Sequence, residues 1–394
     1  MKKMNKSYDV IIIGGGIMGS SSAFYLAKKG LKVALLERRY VGDGPTGKSS
    51  AIIRQHYSNE ITARMALHSV KIFQGFEAEV GDECGYNNTG FFVVTGKENS
   101  PSLVKNLKLQ RSLGIKTENL SNEAVKELFP ELKLDDSITV AYESDGGYAD
   151  AYLTTNAFAR AAKKSGADIY QKAEVTGIRR DGGKVIGVDS TKGKFDAPAI
   201  ICCTGAWTKG VCEFVDINVP INACRVQVAY FKRPERMRGH HPVVCDFVYE
   251  TYFRSEGTEL TLAGLIDPDE ANDIVDPDQY NETIDIDFVE EIGKKLLVRY
   301  PDIVHFESTG GYASLYAVTP DWHPIVDEIP KGSGYYVCSG FSGHGFKLGP
   351  AVGHMVSEMI TKVSDPKFDH HFFRFSRFEE NAHISGTYDQ SISG

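Results

Sequence analysis

Three glycines spaced as Gly14-x-Gly16-x-x-Gly19, with an acid at Glu37, form a set suited to holding a dinucleotide. Gly14 permits a tight turn, Gly16 lets the backbone approach a pyrophosphate, and Gly19 lets a helix pack on a strand. Gly15, Ile17 and Met18 complete the loop, whose helix N-terminus faces the phosphate charge. Glu37, roughly 20 residues further on, is placed to accept hydrogen bonds from the adenosine ribose, with Arg38 beside it. Two further glycine turns carry chemistry. Thr204-Gly205-Ala206-Trp207 follows an apolar run where a chain can pass an adenylate half. Near the other end, Cys338-Ser-Gly340-Phe341-Ser342-Gly343-His344-Gly345-Phe346-Lys347 leads from an apolar run into a helix. Such a loop can wrap close to a ring system, and Lys347 with the helix's positive end would stabilise negative charge on a reduced isoalloxazine. A nicotinamide enzyme needs only the first of these turns, so the three together favour a flavin.

Elements must hold these groups in place. Val10 to Ile13 is a continuous apolar run, as expected of a parallel strand buried on both faces. Ala23 to Lys29 reads as helix, and Lys32 to Glu37 as a second strand. A helical stretch at Asn156 to Gly166 precedes Asp168 to Val175 and the strand Ala199 to Cys203. Tyr335 to Cys338 precedes a helix expected from Pro350 to Lys362, with Pro350 in the first helical position and Ala351, Val352, Met355, Val356, Met359 and Ile360 on one face. Alternation at Thr258 to Leu262 and a helix near Phe288 to Val298 belong to a segment of different character. The tail after Phe375 is polar and is expected to loop over the surface.

Nucleotide-binding features therefore recur in three separated places. The expected fold is α/β, a Rossmann-like FAD-binding domain of the glutathione-reductase type over residues 1–86, 146–215 and 306–394. A mixed-sheet α+β substrate domain over 87–145 and 216–305 interrupts it.

A chain of 394 residues can fill two domain cores. A net charge of −8 argues against nucleic acid or an anionic membrane surface as partner. The 7 cysteines lack a CxxC pair and read as reduced thiols of a cytoplasmic protein. The basic start, Met1 to Lys6, runs into the nucleotide-binding strand itself, which argues against a cleaved signal. No apolar run reaches the roughly 18 residues of a membrane span. His240-His241 and His370-His371 lack ligand spacing, so no metal site is expected.

On these residues the chain resembles the FAD-dependent amine oxidoreductases of the D-amino-acid oxidase superfamily, nearest the sarcosine oxidase-like branch. That branch includes sarcosine oxidases, dimethylglycine dehydrogenases, glycine oxidase and the β subunits of proline dehydrogenases. The resemblance spans nearly the whole chain. It is sharpest at Ile11–Arg39, Gly47–Tyr57, Asp150–Val175, Thr204–Trp207 and Gly340–Lys347. It implies that Val175 contacts the adenine through its backbone and that Ser49 and Ser50 lie along the cofactor. His344 would supply backbone and ring contacts in the flavin loop, and His323 would lie in the segment beneath the flavin with a structural role. It also implies that Arg54 and Lys347 hold a substrate carboxylate, a role suited to a guanidinium fork and a lysine point charge. The alternatives are a surface arginine at a strand end for Arg54 and a solvated lysine at a helix start for Lys347, but a positive charge at a helix N-terminus is unfavourable without an anion nearby, which favours the functional reading. Tyr252 could wall the substrate or simply pack in a sheet.

The chain departs from that family at three positions. The cysteine that anchors flavin in monomeric sarcosine oxidases falls in Ala313-Ser314-Leu315-Tyr316, where Ser314 cannot form the thioether, so FAD is expected to be noncovalent. A family arginine near the flavin falls at Ala51. The lysine that promotes oxygen reactivity falls at Thr261, which suggests a dehydrogenase or a poor oxidase. The expected reaction is hydride transfer from a small secondary, tertiary or primary amino acid (sarcosine-, proline- or glycine-like) to FAD, giving an imine. Two alternatives stay open. One is a 2-hydroxy acid dehydrogenase, for which His56 is the candidate base near Arg54. The other is the flavin subunit of a hetero-oligomeric amine dehydrogenase. The resemblance likewise leaves open a homo-oligomer or a partner electron-transfer subunit.

Overall fold

The computed structural model describes residues 6–266, 269 and 272–386. The basic start up to Asn5 and the end of the tail from Thr387 lie outside the described residues.

The strand Val10–Ile13 is buried along its whole length and lies at the centre of a six-stranded sheet. Tyr335–Ser339, Ala199–Cys202, Val10–Ile13, Val33–Glu37 and Asp168–Gln171 run parallel in that spatial order, and Ile325–Glu328 closes one edge antiparallel. Both faces of its middle are covered, which is why Val10–Ile13, Ala199–Cys202 and Val33 to Leu36 read as apolar runs, while the edge strand Asp168–Gln171 does not. The helices Ile17–Lys28, Ala151–Lys164 and Gly345–Thr361 pack together on one face. Two glycines let the first and last of them come close. A Cβ on Gly349 would lie 2.5 Å from Ile17 Cγ1, and one on Gly353 would lie 2.7 Å from the Ser21 side chain. Ser21 Oγ donates to the Gly349 carbonyl at 2.9 Å across the same contact. A four-stranded sheet of Lys6–Ser7, Gly193–Asp196, Lys184–Ser190 and Val175–Asp181 flanks the central one.

The second layer is an eight-stranded mixed sheet. Its order is Glu307–Val318, Asn222–Lys232, Leu260–Leu265, Thr251–Glu256, Val243–Asp246, Phe91–Gly96, Ile138–Glu143 and Thr117–Leu120. Strand alternation divides its side chains between two clusters. Phe92, Val94, Phe253 and Ala263 pack beneath Phe288, Ile292 and Leu296 of the helix Ile286–Arg299. Phe91, Val93, Cys245 and Tyr252 face the other way, toward the nucleotide-binding half.

Three expectations need revision. Glu307–Val318 pairs along its length with Asn222–Lys232, so the stretch from 307 to 318, expected in the last nucleotide-binding piece, is a strand of the second sheet. The last helix begins at Gly345, and Pro350 lies inside it instead of at its first position. Proline carries no N–H and crowds the turn before it, which frees backbone groups there. The Ala351 N–H, one residue on, donates to Ser69 Oγ at 3.2 Å. The tail is also partly interior. Arg377 is fully buried and donates to both oxygens of buried Asp321, at 2.7 and 3.0 Å, and to the His323 carbonyl at 2.7 Å.

Candidate active site

A groove of about 470 Å³ runs along the open end of the central sheet. Gly14, Gly15, Gly16, Ile17 and Met18 form its floor. Gly14 has φ +104°, and a Cβ there would lie 2.4 Å from the Cys203 carbonyl oxygen, so only glycine makes this turn without strain. Gly19 stands outside the groove. A Cβ on it would sit 1.9 Å from the Gly14 carbonyl oxygen, the close helix–strand approach expected of the third glycine. The helix Ile17–Lys28 opens at Gly16 without a side-chain cap, and Ile17 N–H donates to Thr46 Oγ1 at 3.3 Å. Glu37 receives the Gly15 N–H on one oxygen and the Arg39 N–H on the other, each at 2.7 Å. Farther along lie Arg38, Ser49, Ser50, Val175, Gly205, Gly340, Gly343, Gly345 and Phe346. The Arg38 guanidinium stacks 4.1 Å from the Trp207 ring centroid, and Asp278 Oδ1 forms an ion pair with Arg38 at 2.8 Å and accepts a hydrogen bond from Trp207 Nε1 at 2.9 Å. Three distant segments thus close over one end of the groove. Ser314, at the position of the family's anchoring cysteine, lies in the groove wall. Glycine backbone for a pyrophosphate, an acid for a ribose and an uncapped helix start fit FAD.

A second, smaller cavity of about 60 Å³ adjoins the groove. Ser50, Tyr252, Tyr316, Ser342 and Gly343 line both. Two glycines seat the aromatic rings of this seam. A Cβ on Gly343 would lie 2.8 Å from the Tyr316 ring, and one on Gly264, opposite Tyr252 in the sheet, would lie 2.5 Å from the Tyr252 hydroxyl. The inner walls are the apolar Ile52, Phe91, Val93, Phe247, Leu265 and Ile266. The polar wall is Arg54, His56, Cys245, His344 and Lys347. Alternation explains part of this set: 50, 52, 54 and 56 face the cavity, while Ile53 and Tyr57 turn into the main core.

Arg54 is buried, so it is no surface arginine. Its guanidinium donates to the His56 carbonyl and stacks 4.4 Å over the Tyr57 ring. Lys347 is also buried, in the first turn of the last helix. Burial first, and the Arg54 charge second, push Lys347 well below the usual lysine range. Among the described residues no ion pair joins either cation to a carboxylate. Burial holds the Cys245 thiol up at about 12 and drives His344 far below the usual imidazole range, so neither is charged near neutral pH. His344 Nδ1 lies 3.3 Å from the Tyr57 hydroxyl.

The structure divides the expected cofactor residues. His344 and Lys347 face the small cavity and not the groove, while Gly345 and Phe346 between them line the groove. Tyr252 stands at the seam. Thr261 lines neither cavity and lies fully buried in the sheet beside Ser255 and Phe231, so the argument against oxygen reactivity loses its residue. Ala51 is buried with φ +52°. His323 is buried and bound to Asp321, with its N–H donating to Asp321 Oδ1 at 3.2 Å. His241 is buried and stacked on Phe129 at 4.6 Å, exposed His240 is bonded to the Tyr148 hydroxyl at 2.7 Å, and His370 Nε2 lies 3.4 Å from a Glu358 oxygen. Sequence reasoning missed Tyr316, Cys245, Phe91, Val93 and Phe247, and it missed Thr46 and Asp278 in the groove. The alternation through Ser50, Ile52, Arg54 and His56 could have placed His56 in the substrate wall directly.

Comparison with known proteins agrees with this geometry. A model of the family described as FAD dependent oxidoreductase matches residues 9–359. Human peroxisomal sarcosine oxidase is 28% identical, over 94% of this chain and 96% of its own. Sarcosine oxidase subunit beta of Rhodobacter capsulatus is 25% identical, over 97% and 92%. The crystal structure of L-proline dehydrogenase from P. horikoshii superimposes with a TM-score of 0.88 at 28% identity, covering 96% of this chain and 99% of that one. Together with the dinucleotide groove, these matches establish that the chain belongs to the FAD-dependent oxidoreductase family.

Proposed function

We propose that this enzyme oxidises the carbon–nitrogen bond of a small amino acid, secondary, tertiary or primary, whose carboxylate is held by Arg54 and Lys347. The observation that carries this reading is a buried arginine and a buried lysine that, among the described residues, form no ion pair with a carboxylate, in a cavity that shares five wall residues with the cofactor groove. A substrate carboxylate would supply the missing anion, accepting a fork from Arg54 and a point charge from Lys347. The cavity's size, room for a few water molecules, and its Phe91, Val93, Phe247 and Leu265 walls support a substrate no larger than sarcosine, proline or glycine. Similarity to a sarcosine oxidase and to an L-proline dehydrogenase supports the same class.

Gly14 to Met18, Glu37, Ser49, Ser50, Val175, Gly205, the 340–343 loop, Gly345 and Phe346 would hold FAD, without a covalent bond at Ser314. When bound, FAD supplies the hydride acceptor for the reaction. The chain contributes position: Arg54 and Lys347 fix one end of the substrate, and Tyr252 and Tyr316 wall the seam through which the reacting carbon would face the groove. The apolar side excludes water until the imine leaves to be hydrolysed.

His56 in the cavity wall favours a second reading, a 2-hydroxy acid whose hydroxyl gives its proton to the imidazole. Similarity to a chain named as a subunit supports a further one, in which a partner protein takes the electrons. Anaerobic addition of sarcosine, L-proline, dimethylglycine, glycine and D-amino acids, one at a time, tests the first reading by loss of the flavin absorbance near 450 nm (about, for flavoproteins). Bleaching by an amine supports it. Bleaching only by a 2-hydroxy acid overturns it. Readmitted air, then a dye acceptor, separates an oxidase from a chain that needs a partner.

A further inference from the structure

The amino acid of the proposed reaction arrives with its nitrogen protonated, and an ammonium cannot yield a hydride from the neighbouring carbon. The proton must leave inside a cavity that already holds the Arg54 guanidinium and the Lys347 amine. A buried polar pair, His56 and Glu143, stands at the back of that cavity. His56 forms part of the cavity wall, two residues beyond Arg54 on the same side of an extended segment. Behind it lies Glu143, the last residue of Ile138–Glu143, about 1% exposed like His56 itself. One Glu143 oxygen accepts the Gln55 N–H at 2.7 Å, which fixes the carboxylate. The other oxygen is shut off from solvent, accepts no hydrogen bond among the described residues, and lies 3.8 Å from His56 Nδ1.

We propose that His56 and Glu143 form a proton relay that takes the substrate's ammonium proton, with His56 touching the substrate and Glu143 acting through it. This rests on the amine reading of the site. The substrate N–H⁺ gives its proton to His56 Nε2. His56 Nδ1–H gives its proton to the free Glu143 oxygen. The imidazole ends neutral in its other tautomer, Glu143 ends as the carboxylic acid, and the amine keeps the lone pair that forms the C=N bond. No net charge is added to a cavity holding Arg54 and Lys347. The proton returns to solvent after product leaves.

The surroundings suit these roles. Burial, then Arg54, holds His56 neutral, down at about 3, so imidazolium exists only in passing. Burial raises Glu143 to about 7, against the Gln55 N–H and Arg54, which lower it, and with Asp145, which raises it. A carboxyl group near 7 can take and release one proton at neutral pH. The other titratable groups around the pair are Tyr57 and Tyr86 beside Glu143, and Lys347, His344 and Cys245 across the cavity.

The test uses the holoenzyme and the amine that bleaches it, with His56→Gln and Glu143→Gln both checked for bound FAD. The rate of flavin reduction at saturating amine is followed against pH. In the wild type it should rise through a midpoint near neutrality. Both variants should move that midpoint upward by at least about one unit and lose about 10- to 100-fold at pH 7. They should approach the wild-type rate once pH exceeds the substrate's own ammonium pKa. Infrared difference spectra on anaerobic amine binding give a second readout, a new protonated-carboxyl band that Glu143→Gln lacks. Unchanged midpoints, a loss that persists at every pH, or a band unaffected by Glu143→Gln would overturn the relay while leaving the amine reading intact. Failure of every amine to bleach the wild type would overturn both.

Discussion

The two adjoining cavities are built from different material. The groove is backbone: glycines at 14, 15, 16, 205, 340 and 343 bring main chain close to the cofactor space, and one acid, Glu37, is itself bound to main-chain N–H groups. The small cavity is side chain, with arginine, lysine, histidine and aromatic groups delivered by segments near 54, 91, 245, 252, 316 and 347. Backbone recognition suits a cofactor that is common to many reactions. Side-chain recognition can be retuned one residue at a time, so on the proposed reading substrate choice would reside in the smaller space.

The largest expected effect breaks the groove alone. Gly14→Val puts a branched side chain at φ +104° against the Cys203 carbonyl, so the purified protein should lack flavin absorbance altogether. Next comes the clamp. Arg54→Met should retain FAD yet lower kcat/KM about 10²- to 10³-fold, the loss of a charge-assisted fork worth about 2–5 kcal/mol, read by steady-state or stopped-flow kinetics. If that variant instead loses its flavin, the division between the cavities fails.

A pH experiment sharpens the comparison further. A carboxylate binds best to protonated Lys347, whose pKa in the free site is depressed by burial and Arg54. Below that depressed pKa the cation is present, and above it the lysine is neutral. Affinity for a simple carboxylate such as acetate, followed by the flavin spectrum, should therefore fall as pH rises, with a midpoint well below the ordinary lysine value of about 10.4. Lys347→Met should be weak and level across the range. The smallest effect belongs to the groove's rim. Asp278→Ala removes partly exposed contacts to Arg38 and Trp207 and should raise the FAD dissociation constant by less than about tenfold, measured by reconstitution of the apoprotein.

The same contrast explains what could be read from sequence. Gly14, Gly16, Gly19 and Glu37 lie within one strand–helix–strand unit, so their spacing alone describes their geometry. The small cavity depends on how the eight-stranded sheet meets the groove, and nothing local announces that Phe91, Cys245 and Phe247 will converge. Thr261 shows the hazard of carrying a role across a weakly matched strand, since its side chain lies away from both cavities. A usable signal was passed over in the last helix. Gly345, Gly349 and Gly353 recur every fourth residue, the pattern of a close helix–helix face, and they place its true start ahead of Pro350. The boundary at 306 failed because an edge strand such as Glu307–Val318 carries the glycines Gly310 and Gly311, which weaken its strand pattern.

The central claim is that Arg54 and Lys347 receive a carboxylate beside the cofactor. A crystal structure of the holoenzyme with acetate or an unreactive amino acid analogue tests it most directly. The carboxylate is expected on both Arg54 and Lys347, next to the seam of Tyr252 and Tyr316. A carboxylate bound elsewhere, with Arg54 still folded onto the His56 carbonyl, would contradict it.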